Sequence, residues 1–307
     1  MGVMAGVLRT GLPLVPRRVL WSVARRYVAG EELSDAVARI AGLRGEGFGT
    51  LIDVLGENVT VPEQSEAAAR EYHRALVALR GCDPRCVVSV KPTHMGLLLD
   101  RALCERLVGD LAAAAARDGR PVCWEMEDSP TVSATLEVFR ALRPRHPNLG
   151  CVLQSRLFRS AADARQLLAG GPGLSVRLVK GIYIEPAAVA HVAAPDIARS
   201  YVSLARLLLD GGAFVSLATH DDVMARELLA LLDERGLSRG PLEERRYEFQ
   251  CLMGVRREFA QQLRAAGHPV RIYVPYGRDW HAYSLRRLRR NPEIALHVLR
   301  ALLRRDG

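Results

Sequence analysis

The sequence is poor in aromatic residues and lacks the short motifs that mark common metal sites. Only 6% of its 307 residues are aromatic, and its arginines are dispersed through helix-like segments. This composition disfavours a surface that stacks on nucleic-acid bases, even though the net charge is +9. No HxH, HExxH or CxxC pattern occurs. We therefore expect neither a metal site nor nucleic-acid binding.

The six cysteines are scattered, without the repeated pair spacing of a zinc site. Cysteines in such an arrangement are typical of proteins kept in a reducing compartment. We therefore expect reduced thiols and a cytoplasmic location.

Acidic residues are absent from residues 1–30, which carry five arginines among apolar residues. The apolar runs in this segment are too short to span a membrane. Amphipathic patterns over Trp21–Val28 and Glu32–Leu43 favour two packed helices over a removed leader. Their basic charge is suited to peripheral contact with the anionic inner face of a membrane.

From Gly49 onward, short β-rich runs alternate with longer helical runs, which is typical of repeated βα units. Eight such units predict an α/β fold, a closed (βα)8 TIM-type barrel, rather than an open doubly wound sheet. No GxGxxG motif follows the first strand, which also disfavours the open dinucleotide-binding fold. We predict an N-terminal helical segment over residues 1–48 and a barrel catalytic domain over residues 49–307.

The boundaries of these elements follow from the periodicity of apolar residues. The predicted strands are Thr50–Val54, Cys86–Val90, Val122–Met126, Gly150–Leu153, Leu174–Val179, Ala213–Ala218, Tyr247–Leu252 and Val270–Val274. The predicted helices of the barrel are Ser65–Leu79, Met95–Ala116, Thr131–Leu142, Ala161–Leu168, Pro186–Leu209, Asp222–Glu234, Arg256–Ala266 and Ser284–Leu303.

Every predicted strand ends in polar residues, and function in this kind of barrel lies at the carboxyl ends of the strands. A single charged loop residue is usually just solvated, but polar groups at all eight ends predict the lining of one pocket. In strand order they include Asp53, Lys91, Glu125, Gln154, Arg177, Thr219, Gln250 and Tyr273.

The eighth strand runs into YVPYGRDWHAYSLRRLRRNP at 273–292. In a helix, Tyr283, Arg286 and Arg287 share one face because they are three and four residues apart. Two guanidinium forks are suited to a planar carboxylate or phosphate, so the pocket should bind an anion. Taken alone, this run of arginines fits a solvated basic face better than a binding site. The polar strand ends favour the binding site.

The chain resembles the proline dehydrogenase family, in its monofunctional, bacterial, FAD-dependent form. The resemblance rests on motifs in family order: DVLGE at 53–57, VSVKP at 88–92, EMEDSP at 125–130, RLVKGIY at 177–183, ATH at 218–220, FQCLMG at 249–254 and YVPYGRDWHAYSLRRL at 273–288. It implies a barrel that oxidises L-proline to 1-pyrroline-5-carboxylate by hydride transfer to FAD, the first step of proline catabolism. It also implies a quinone-type electron acceptor.

The resemblance also implies roles for individual residues. Glu125 and Arg177 would lie at the reacting centre, and Glu57 would pair with an arginine as a gate. The residues implied to bind the substrate are Lys91, Tyr183, Tyr273, Arg286 and Arg287. The residues implied to bind FAD are Met126, Gln154, Arg177, Lys180, Gly181, Ile182, Thr219 and His220.

Four positions depart from the family pattern. Glu125 stands where the family has aspartate, and the extra methylene shifts its carboxylate. Ile182 stands in place of the usual alanine and Asp221 in place of the common asparagine. Arg290 replaces an acid, so it can only donate hydrogen bonds where that acid accepted them.

Two other functions remain open. One is a barrel lyase or aldolase that uses Lys91 or Lys180 as a Schiff-base amine, because a buried lysine can be activated by a lowered pKa. The other is a catalytically degenerate barrel that binds an amino acid without turnover, if the departures have spoiled the flavin site. The presence of bound flavin separates these alternatives from the oxidoreductase.

Overall fold

The computed structural model describes residues 17–83 and 85–290, without the side chains of residues 19, 23, 243 and 286–290. Its eight parallel strands form a closed barrel in chain order, because β1 pairs with both β2 and β8. The predicted barrel and its eight strands are confirmed, and strand ends differ from the prediction by at most two residues. The strands are β1 Gly49–Val54, β2 Val87–Val90, β3 Val122–Trp124, β4 Leu149–Gln154, β5 Ser175–Val179, β6 Phe214–Ala218, β7 Tyr247–Leu252 and β8 Val270–Tyr276.

Two helices precede the barrel and one follows each strand. The helices are α1 Arg17–Ala24, α2 Leu33–Gly45, α3 Pro62–Leu79, α4 Arg101–Arg117, α5 Val132–Leu142, α6 Ser160–Ala169, α7 Ala194–Asp210, α8 Asp222–Glu234, α9 Arg257–Ala265 and α10 Trp280–Arg290. Short 3-10 turns occupy Ser129–Thr131 and Leu242–Glu244. The last predicted helix therefore begins four residues early, and its predicted end at Leu303 lies outside the described residues.

Two predicted helices begin later than expected. The helix after β2 begins at Arg101 rather than Met95, because Gly96 has a φ of +84° and the Asp100 side chain caps Ala102 and Leu103. The helix after β5 begins at Ala194 rather than Pro186, because Ala190 pairs in a β-bridge with Leu157. Helical apolar spacing alone does not reveal that these backbone groups are used elsewhere.

The N-terminal helices pack against the last βα unit. Trp21 of α1 stacks near Trp280 with ring centroids 4.6 Å apart, and Trp280 Nε1 donates to Glu31 at 2.5 Å. Between them, the Ala29 N–H donates to the Pro275 carbonyl at 2.8 Å. Both predicted N-terminal helices are present, although α1 lies four residues earlier than predicted. The domain boundary after residue 48 stays a prediction. No helix within the described ranges has the length and apolar character needed to cross a membrane.

Candidate active site

A cavity of about 770 Å³ opens at the carboxyl ends of the strands. Its volume is in the range of small-molecule sites. All of the predicted site residues except Glu57, Arg286 and Arg287 line it: Lys91, Glu125, Met126, Gln154, Arg177, Lys180, Gly181, Ile182, Tyr183, Thr219, His220 and Tyr273. Glu57 is half-buried on the loop after β1. Arg286 and Arg287 belong to α10, but their side chains lie outside the described residues.

The floor of the cavity is a buried ion pair between β3 and β5. Arg177 Nη1 lies 3.0 Å and 3.2 Å from the two carboxylate oxygens of Glu125. Burial alone would lower the pKa of Arg177, but Glu125 and neighbouring groups outweigh it and the pKa is raised. Arg177 is therefore a permanent cation whose charge is balanced within the protein.

Tyr273 of β8 lies beside this ion pair and contributes an uncharged side chain to the cavity wall. The Arg177 guanidinium carbon lies 5.1 Å from the centre of the Tyr273 ring, within cation–π distance. Ser89 Oγ donates to Glu125 at 2.6 Å and lies 3.3 Å from the Tyr273 hydroxyl. Burial raises the pKa of Tyr273 well above its usual value, so its hydroxyl stays protonated.

Lys91 at the end of β2 is held by Asp53 at the end of β1. The Lys91 ammonium donates to both carboxylate oxygens of Asp53, at 2.7 Å and 2.8 Å. Burial alone would lower the pKa of Lys91, but the charge and hydrogen bonds of Asp53, together with the nearby Glu125 and Tyr283, outweigh burial and raise it. A Schiff-base amine must be able to lose its proton, so this geometry disfavours the lyase reading for Lys91.

The loop after β5 approaches the end of β4 closely. Gly181 has a φ of +95°, and a Cβ there would lie 2.7 Å from Gln154 Oε1. Only glycine tolerates both conditions, so the backbone of this loop borders the cavity directly. Lys180 next to it pairs with Asp221 at 2.8 Å, and this bond lowers the pKa of Asp221.

The Thr219–His220 pair at the end of β6 is also ordered by the protein. His220 Nε2 accepts the Leu252 N–H at 2.9 Å, so its ring proton resides on Nδ1. Thr219 Oγ1 accepts the Asp221 N–H at 3.1 Å. His220 is therefore held by the protein backbone and also lies on the cavity wall.

The described side chains of the cavity carry no excess of positive charge. Its cations are Lys91, Arg177, Lys180 and Arg256, and its carboxylates are Asp53, Glu125, Glu127, Asp221 and Asp222, so four against five gives a net charge of −1. Each of the four cations forms an ion pair with one of these carboxylates. The described side chains therefore offer an anionic ligand no cation that lacks a carboxylate partner.

Three residues with clear contacts in the site had no individual role predicted from the sequence. Asp53 holds Lys91, Ser89 bridges Glu125 and Tyr273, and Gln250 accepts the Arg177 Nε–H at 2.8 Å. Asp53 and Gln250 do stand at polar strand ends, which was the available clue. Ser89 lies inside β2, where nothing in the sequence separates it from a packed serine.

The fold and the site define a (βα)8-barrel protein with a charged small-molecule pocket at the carboxyl ends of its strands. The proline dehydrogenase family model matches residues 36–298. The chain belongs to the proline dehydrogenase family.

Individual relatives agree with this assignment. The chain is 33% identical to proline dehydrogenase of Deinococcus radiodurans, over 94% of this chain and 92% of the relative. It is also 33% identical to proline dehydrogenase 1 of Bacillus subtilis strain 168, over 92% of this chain and 91% of the relative.

A solved structure shares the fold. Proline utilization A from Bdellovibrio bacteriovorus, inactivated by N-propargylglycine, superposes with a TM-score of 0.79 and 20% identity. The match covers 87% of this chain and 32% of that longer protein. At this identity, the likeness extends to the fold alone.

Proposed function

We propose that this protein oxidises L-proline to 1-pyrroline-5-carboxylate with a bound FAD as hydride acceptor, as the first step of proline catabolism. The observation that carries the proposal is the cavity at the strand ends, where residues implied for both flavin and substrate meet. Family membership supports the same reaction.

The residues present fit a flavin. Gly181 leaves its backbone accessible where any side chain would meet Gln154, and Lys180 and Thr219 place polar groups on the same wall. The residues that would hold FAD are Met126, Gln154, Arg177, Lys180, Gly181, Ile182, Thr219 and His220. When bound, FAD would supply the hydride acceptor that amino-acid side chains lack.

The substrate carboxylate requires Arg286 and Arg287. The described part of the cavity has a net charge of −1, and Asp53 already uses two of the three ammonium hydrogens of Lys91. Tyr283 lines the cavity, and positions 286 and 287 follow it by three and four residues in α10. This spacing supports a position on the Tyr283 face of the helix, where Glu57 would be their gating partner.

Orientation is the main task of the remaining residues. Tyr273 and Tyr183 would flank the proline ring, and the Arg177–Glu125 pair would fix the polar floor beneath it. All four line the cavity. The Tyr273 hydroxyl stays neutral and Arg177 stays charged at neutral pH, so the protonation of these two groups is constant there. The proline nitrogen would lose its proton to solvent.

A quinone-type acceptor would reoxidise the reduced enzyme. The arginines of residues 1–30 support peripheral contact with the anionic inner face of a membrane, where such an acceptor resides. Apart from this contact, the protein would lie in the cytoplasm. Comparing sedimentation with anionic and neutral vesicles tests it: equal sedimentation would remove this part of the proposal.

The central experiment is an absorption spectrum of the purified protein before and after addition of proline under anaerobic conditions. We expect flavin absorbance that proline bleaches, and release of FAD on denaturation. N-propargylglycine, which inactivates the Bdellovibrio protein, should block the bleaching. Tight binding of a carboxylate analogue by a protein that cannot take up FAD would instead support the degenerate amino-acid-binding barrel.

A further inference from the structure

A buried polar chain crosses the barrel interior beneath the site. Glu248 and Gln250 lie on β7, two residues apart, and Arg177 lies on β5. Gln250 Nε2 donates to Glu248 at 2.7 Å, while Gln250 Oε1 accepts from Arg177 Nε at 2.8 Å. On the basis of the proposed function, we infer that Gln250 is a positioning residue. It holds the Arg177 guanidinium in place for proline oxidation by linking it to Glu248, which lies nearer the amino end of β7.

The orientation of the Gln250 amide is fully determined by its partners. Arg177 can only donate hydrogen bonds and an ionised Glu248 can only accept them. The amide oxygen must therefore face Arg177 and the amide nitrogen must face Glu248. Gln250 is 4% exposed, so water cannot easily replace either bond.

Glu248, at the end of this hydrogen-bond chain farthest from Arg177, is itself firmly held. Arg271 Nε lies 2.9 Å from both carboxylate oxygens of Glu248, and Ser216 Oγ donates to the same carboxylate at 2.9 Å. Arg271 Nη1 also donates to the backbone carbonyl of Thr50 at 2.7 Å. The position of Glu248, and through it that of Gln250, is thus set by strands on three sides.

Gln250 supplies the second of two hydrogen-bonded restraints on Arg177. Glu125 receives only Nη1 of the guanidinium, and the contact with the Tyr273 ring is not directional, so these two alone leave the group free to rotate. The bond from Nε to Gln250 prevents this rotation. A displacement of about 1 Å at a reacting centre lowers rates by about 100-fold, so the restraint has a catalytic consequence.

Two substitutions at Gln250 separate positioning from packing. Gln250→Met keeps the length of the side chain and removes both hydrogen bonds. Gln250→Glu keeps an acceptor for Arg177 but sets a carboxylate against Glu248, which lowers stability. Thr135→Val is the matched control, because it removes a buried hydrogen bond, from Thr135 Oγ1 to the Thr131 carbonyl, that lies outside this chain.

The measurements are kcat and KM for proline, flavin content and the unfolding temperature. We expect Gln250→Met to lower kcat about 10- to 100-fold, with flavin retained, and Thr135→Val to stay within about threefold of the parent. We expect Gln250→Glu to be less stable than Gln250→Met and yet more active. If Gln250 acted only through packing, the more stable of the two Gln250 variants would also be the more active one.

A double-mutant cycle with Arg177→Lys completes the test. If Gln250 acts through Arg177, the double variant should lose no more activity than Arg177→Lys alone. Multiplicative losses, or a Gln250→Met enzyme as active as Thr135→Val, would overturn the inference while leaving the proposed function intact. A flavin-loaded parent that does not oxidise proline would overturn both.

Discussion

Two ion pairs border the same cavity in opposite surroundings. The Arg177 and Glu125 side chains are 12% and 10% exposed, whereas those of Lys180 and Asp221 at the rim are 40% and 38% exposed. Their shortest N–O distances, 3.0 Å and 2.8 Å, are nearly equal. The cost of breaking each pair differs, because water can replace a lost partner only at the rim. Exposure, rather than bond length, should rank the effects of substitution.

The largest effect is expected at Glu125. Glu125→Ala leaves Arg177 buried without its counter-charge, which should lower the free energy of unfolding by about 3–5 kcal/mol. Turnover should fall with it. Urea unfolding measures the first effect, and Asp222→Ala, in an exposed pair with Arg256, is the control, with a loss of at most about 1 kcal/mol. Equal losses in the two variants would remove the distinction between interior and rim.

The second-largest effect is expected on substitution of the arginines of α10. If they supply the positive charge that the described cavity lacks, Arg286→Ala or Arg287→Ala should weaken binding of a non-oxidisable carboxylate analogue by about 2–5 kcal/mol. Lysine should restore only part of this, since an ammonium cannot make the two-pronged contact.

Flavin spectral shifts give the dissociation constants, and Arg289→Ala is the control on the same helix. Parent-like binding by both Arg286→Ala and Arg287→Ala would show that the carboxylate is held elsewhere.

His94 extends the comparison to a buried group that lacks a counter-charge. Burial and the nearby Lys91 lower the pKa of His94 to about 4. A lowered pKa in the folded state means that stability is full above the unfolded value of about 6.5 and is lost as the pH falls toward 4. Over that range the loss is about 3 kcal/mol at 1.36 kcal/mol per pH unit.

The substitution His94→Gln should therefore flatten the acid side of the stability curve. Unfolding free energies at pH 7 and pH 4.5 measure this slope, with His73→Gln in α3 as the control. A slope unchanged by His94→Gln would assign the acid sensitivity to other groups.

The smallest effect is expected at the rim. Lys180→Met should change the free energy of unfolding by at most about 1 kcal/mol, because both partners are well exposed. FAD binding is the informative readout there, since Lys180 also lines the cavity. A loss of stability as large as that of Glu125→Ala would contradict the ranking by exposure.

Sequence reasoning succeeded where the information is local. All eight strands follow from apolar runs of fixed period, and the polar strand ends meet in one cavity because carboxyl ends of parallel strands share one face of a barrel. It failed at the starts of α4 and α7, where a left-handed glycine and a β-bridge interrupt helical spacing. Those interruptions depend on backbone hydrogen bonds that no periodicity encodes.

The sequence by itself determined the barrel, the polar lining of its carboxyl end and the family motifs. The tertiary structure alone decided which charges neutralise each other. Lys91 pairs with Asp53, 38 residues away, and Arg177 pairs with Glu125, 52 residues away. Such pairs depend on barrel closure and strand register, which set distances between strands, whereas sequence periodicity reports only the face of a single strand. For this reason Gln250 looks like any polar strand residue until the barrel closes and places it between Arg177 and Glu248.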